Sequence, residues 1–205
     1  MSETEDSTTP PTRAGRTRFA RTALLMLAMS MSAIAVWSVA RGQTPMGPDY
    51  TPDGKLKFPV GFEKWIFVGS NLGLAYKGEQ GEETFHNVYI NPEAYQYYLA
   101  NNKFPDRTIL VMDVYAPSMR DPMLVRGKFN GERRWVEAAV KNSARPDGVP
   151  TDWAYYEFVL KPKGAVPDPA GKAGQGCYNC HRKANPLTDN VWVKFYPMLR
   201  DKQPQ

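Results

Sequence analysis

Beyond residue 60 the apolar positions come in short runs separated by Gly, Pro and Asn, a pattern of strands more than of helices. Residues 65–68 (WIFV) read as a first buried strand, 84–90 (TFHNVYI) as a second, and 108–115 (TILVMDVY) as a third with strong β propensity. Residues 69–83, crowded with Gly, Asn and charge, read as a loop. Asn91-Pro92-Glu93 marks a helix start: Asn91 can cap, Pro92 suits the first helical position, and Glu93 complements the positive end of the dipole. That helix should reach about Ala100 and stop at Asn101-Asn102. Strands over 123–129 and 134–140 flank Asn130-Gly131, a strong hairpin signal. Residues 153–160 alternate, with Ala154, Tyr156, Phe158 and Leu160 on the apolar face. Residues 161–176 hold three prolines and four glycines and read as an irregular loop. Asp189 could cap a last helix running from Asn190 to about Phe195 and ending around Pro197. No internal repeat is evident. The sum is an α+β, mainly β fold, an antiparallel sheet or sandwich with a few short helices.

The N-terminus has a different character. Residues 1–21 begin polar and end in a basic run, Arg13, Arg16, Arg18 and Arg21, and read as a disordered basic region. Residues 22–40 carry no charge, and Arg41 closes them. Positive charge ahead of an apolar segment holds the N-terminus in the cytoplasm and sends the downstream chain across the membrane. Small residues at Ser38-Val39-Ala40 favour cleavage of a signal peptide after Ala40. The nineteen uncharged residues are also close to the ~20 that span a bilayer, so a retained single-pass anchor is the alternative. Residues 41–53 read as a linker and 54–205 as one folded domain. Taking the four arginines and three acids of the leader from 26 and 21 leaves 22 basic and 18 acidic residues. This mild, scattered balance argues against a nucleic-acid partner. A solvated surface and docking to an acidic redox partner both stay open.

The candidate chemistry is concentrated in Cys177-Tyr178-Asn179-Cys180-His181, which holds both cysteines of the chain. C-x-x-C-H is the attachment pattern for a c-type haem. Thiols three positions apart lie on one side of a helical turn and can each join a porphyrin vinyl group, with His181 beneath the iron as its axial ligand. A zinc site would need further ligands, and His86 is the only other imidazole. A thioredoxin-like dithiol would sit between an early strand and helix, not after a Pro/Gly-rich stretch near the C-terminus. The expected cofactor is therefore one covalent haem c, with export to the bacterial periplasm as the matching destination.

Several segments together resemble the cytochrome P-460 family, which includes the β-sheet cytochromes c′ (c′-beta). They are Phe58-Pro59 with Glu63-Lys64-Trp65 and Val68-Gly69; residues 88–95; 136–141; 153–156; and Cys177 to His181 followed by 195–200. Members either oxidise hydroxylamine, with a lysine bonded to the porphyrin ring, or bind nitric oxide or carbon monoxide in an apolar distal pocket. The resemblance places that lysine in residues 108–115, where Met112 stands and no lysine occurs. Met112 then either ligates iron, giving an electron carrier, or walls an apolar pocket with Leu110 and Val114. By the same resemblance Phe104 falls near an aromatic that crowds the distal iron; its plainer role is in the core. His86 reads as a ligand, a propionate partner or a surface group, and Glu137 and Asp113 as the carboxylates nearest the pocket. Two functions are consistent with this: a periplasmic haem protein for small diatomics or single electrons, or a haem oxidoreductase acting on hydroxylamine or a related nitrogen compound. A dithiol–disulfide exchanger is a third. The resemblance also implies a homodimer.

Overall fold

The computed structural model of the chain describes residues 47–75, 81–119, 123, 126–146, 152–160, 171, 172 and 175–201. The basic region 1–21, the uncharged segment 22–40, the start of the 41–53 linker and most of the 161–176 loop lie outside the described residues. Six strands form one antiparallel sheet whose spatial order follows the sequence. They are β1 (Ile66–Leu72), β2 (Phe85–Ile90), β3 (Thr108–Ser118), β4 (Phe129–Lys141), β5 (Trp153–Phe158) and the two-residue β6 (Gly171–Lys172). Three short helices accompany the sheet among the described residues: α1 (Pro92–Asn101), α2 (Gln175–Ala184) and α3 (Pro197–Arg200). The fold is thus α+β and mainly β, as one sheet rather than two stacked ones. Among the described residues no helix is long and apolar enough to cross a membrane.

Both faces of the sheet are covered. On one, Leu56, Phe62 and Trp65 from the segment before β1 pack on Ile109, Val111, Val136, Val140 and Phe158, with Phe58 meeting Phe62 and Phe158 edge-on. On the other, Ala94, Tyr95 and Tyr98 of α1 and Val191, Val193 and Leu199 of the C-terminal segment pack on Val68, Ile90, Leu110, Trp153 and Tyr155. Burying each such side chain contributes about 1.5–3 kcal/mol before the entropy cost of ordering it. Two-sided cover explains why β5 buries Trp153 and Tyr155 as well as Ala154, Tyr156 and Phe158. The alternation expected for that strand found one face and missed the other.

Asn91 does precede α1, with Pro92 at the first helical position, but its side chain makes no cap. Its Oδ1 accepts a hydrogen bond from Ile109 N–H at 2.8 Å, and the side chain is buried. The asparagine therefore ties the helix start to β3, an alternative use open to short amide side chains.

Three expectations are corrected. Asn130-Gly131 is not a hairpin turn: both lie inside β4, where Asn130 pairs with Pro117 and Phe129 with Ser118. A Cβ on Gly131 would stand 3.0 Å from the Ala116 carbonyl, so this glycine serves close approach at an irregular register. The turn lies earlier, with Gly127 at φ 121°, and residues 123–128 form no strand where they are described. The helix expected from Asn190 to Phe195 is replaced by a 3-10 turn at Val193–Phe195. Asp189 and Asn190 sit at φ 54° and 64°, left-handed values that forbid a helical start. Pro197 does not end a helix; it opens α3. Finally, the first strand runs four residues past Val68, because Gly69 lets the C-terminal segment lie on it: a Cβ there would meet Pro197 Cδ at 2.9 Å.

Candidate functional site

α2 carries Cys177, Cys180 and His181. The thiols, one turn apart by helical geometry, are free and exposed. Partial desolvation by the surrounding protein, then the charges of Glu137, Cys180 and Glu157, raises the pKa of the exposed Cys177 thiol above its ordinary value. No trio of His, Cys, Asp or Glu side chains among the described residues is gathered to hold a metal ion.

His181 is held from three sides. Its Nδ1 lies 3.0 Å from the Asn190 carbonyl oxygen. A carbonyl only accepts, so Nδ1 carries the proton and Nε2 keeps its lone pair. The Tyr155 ring lies 4.3 Å from the imidazole, and Trp192 meets it edge-on at 5.8 Å. Burial lowers the imidazole pKa, opposed by the Asn190 contact, and keeps the ring neutral near pH 7. A neutral imidazole with a committed Nδ1 proton and an open Nε2 is a metal ligand prepared in advance.

The loop behind His181 explains the failed helix. Asp189 accepts from Lys141 Nζ at 2.6 Å and from Trp153 Nε1 at 3.2 Å. Asn190 N–H donates to the Asn185 carbonyl, and Asn185 N–H to that of His181. Two left-handed residues in succession then aim the Asn190 carbonyl at the imidazole.

The sheet face that packs with α1 and α2 presents rows set by register. Val88, Met112, Glu137 and Glu157 stand opposite one another across β2 to β5. The next row holds Ile90, Leu110, Ala139 and Tyr155, and the row on the other side His86, Val114 and Trp135. Met112 is partly buried and packs, like Tyr178 of α2, against the core on this face. Glu137 accepts from Trp135 Nε1 at 3.0 Å; burial first, then the charge of Glu157, raises its pKa. His86 bonds Thr84 Oγ1 at 2.9 Å, and burial lowers its pKa.

Asp113 points the other way. It is buried beneath Arg133 (2.7 Å) and the Tyr115 hydroxyl (2.8 Å) on the opposite face, so it shares no face with Met112 or Glu137. Phe104 is a buried aromatic stacked on Tyr98 at 4.5 Å and edge-on to Trp153 at 5.8 Å. It also borders an open depression of about 630 Å3 with Tyr97, Lys141, Leu187 and Asp189, which none of Cys177, Cys180, His181 or Met112 lines.

Sequence reasoning missed Asn190, Tyr155, Trp192 and Glu157. Only Tyr155 carried a signal, as an aromatic on the face of β5 opposite the one read as apolar.

These residues suit a thioether-bound porphyrin: two reachable thiols on one helical turn, and beside them an imidazole with its ligating nitrogen open. The family model described as Cytochrome P460 matches residues 59–193. No curated protein matches the chain.

Proposed function

The chain belongs to the cytochrome P460 family, and with it to the haem cytochromes; from that premise we propose an exported mono-haem c-type cytochrome that binds small diatomic ligands or carries single electrons. Cys177 and Cys180 would anchor the haem through thioethers, and His181 Nε2 would ligate its iron. The observation that carries this reading is the His181–Asn190 contact, which fixes the imidazole tautomer one residue after the second free thiol. When bound, haem would supply a one-electron couple and an iron able to take a small ligand. The chain's part is to hold His181, to keep it neutral, and to line the neighbouring face with Val88, Leu110 and Met112.

The absence of lysine from residues 108–118 weighs against a ring crosslink from β3 and so against hydroxylamine oxidation. Met112 serves in this reading as apolar wall, which favours gas binding, while Phe104 keeps its core place against Tyr98 and Trp153. One observation favours the enzyme: Glu137 is a half-buried carboxylate of raised pKa on the α2 side of the sheet, a suitable proton acceptor.

Expression in cells that mature c-type cytochromes tests the proposal. Haem should stay with the polypeptide through acid–acetone extraction, and the mature mass should correspond to cleavage after Ala40. The ferrous spectrum should change on adding nitric oxide. A sulfur-to-iron charge-transfer band lost in Met112→Leu would instead establish methionine ligation and electron transfer. Hydroxylamine-driven reduction that disappears in Glu137→Gln would establish the oxidoreductase.

A further inference from the structure

The imidazole of His181 is the inner end of an aromatic path. Trp192 touches it edge-on at 5.8 Å, and Phe195 stacks on Trp192 at 5.7 Å with the rings 13° from parallel. Both outer rings are partly exposed. Lys194 lies over both, its Nζ 5.7 Å from the Trp192 ring centre and 5.0 Å from that of Phe195.

The surroundings are basic and lightly apolar. Arg182 and Lys183 end α2 in exposed positions. Among the described residues neither they nor Lys194 is in an ion pair. Lys194 shares a shallow depression of about 210 Å3 with residues 184–188. Leu187 on its rim is 97% exposed. The only carboxylate between 175 and 200 is Asp189, which is held by Lys141.

We propose that Trp192 and Phe195, with Lys194 over both rings and Arg182 and Lys183 following His181 at the end of α2, form the docking port through which single electrons pass between the His181-bound iron and an acidic one-electron carrier protein. The inference rests on the haem attachment proposed above. One electron moves: the carrier's centre is oxidised as the iron is reduced, or the reverse, and no bond or proton is exchanged. Charge complementarity selects the occupant, because unpaired cations around an apolar centre attract an acidic surface and repel a basic one. A small patch with one apolar knob suits the brief, low-area encounters of redox proteins.

The test uses the haem-loaded protein and a reduced acidic blue-copper protein as probe. Lys183→Glu/Lys194→Glu should slow the second-order rate about tenfold at low ionic strength, and the difference should fade as salt is added. The rate with the cationic complex hexaammineruthenium(II) should not fall. Trp192→Leu should lower the rate constant within the complex by more than its change in haem midpoint potential accounts for. Binding is read separately with the redox-inactive zinc form of the same carrier: amide shifts should cluster at residues 182–195, and the double variant should bind several-fold more weakly. Equal rates and equal binding for the double variant and the parent protein at low salt would overturn the port. A polypeptide recovered without covalent haem would overturn the cofactor assignment beneath it, a different result from haem-loaded protein that ignores these charges.

Discussion

Asn190 acts on His181 through its backbone, so the residue there matters for the conformation it permits. At φ 64° a glycine is tolerated, while a β-branched side chain costs about 1–2 kcal/mol and shifts the carbonyl. Asn190→Gly should leave the haem midpoint potential unchanged. Asn190→Val should raise it, because an imidazole that loses its acceptor becomes a poorer donor to iron; redox titration reads both. Glu137 gives a pH prediction. Its folded pKa lies above the ordinary 4.5 because burial disfavours the charge, so the stability it allows is fully present below that ordinary value and is lost as pH rises through the raised one. Glu137→Gln should flatten this decline, measured as the denaturant midpoint against pH. At this scale the sequence displayed two thiols and an imidazole at the fixed local spacing that covalent haem attachment would demand. Asn190, Tyr155 and Trp192 reach His181 only through tertiary structure, and no spacing rule encodes them.

Elements explain which sequence signals misled. Residues 108–115 and 84–90 were legible because their apolar content matches a buried strand. Asn130-Gly131 was not, since the glycine answers to a neighbour across the sheet rather than to a turn. Asp189 resembled a helix cap, yet its carboxylate is taken by Lys141 and Trp153. Gly69 shows the same cross-element logic. Pro197 Cδ, Tyr196 Cα and the Phe195 carbonyl all lie within 3.3 Å of where its Cβ would stand. Gly69→Ala should therefore cost about 2 kcal/mol by forcing the start of α3 away from β1, seen as a lowered urea midpoint and faster amide exchange at Leu199. Gly61→Ala provides the contrast: no atom lies within 4 Å of its Cβ position, so any cost there comes from φ 82° alone.

Across the whole molecule, the two apolar clusters draw on the sheet, α1, the segment before β1 and the C-terminal turns, whereas α2 contributes no buried residue. Cys177→Ala/Cys180→Ala should therefore lose covalent haem and yet keep a β-type far-UV spectrum and a cooperative melt. A variant that failed to fold would show instead that haem is needed to build the core. The strictly sequential strand order has a consequence for how the chain is made. Each strand can zip onto its predecessor as it arrives during vectorial synthesis, at little loop-closure cost. The cysteine helix is delivered after the sheet, and the last contact, residues 195–197 seated on Gly69, joins segments well over a hundred positions apart in the chain. Chain order thus allows this latch to close last, when the exposed thiols of α2 have already been delivered.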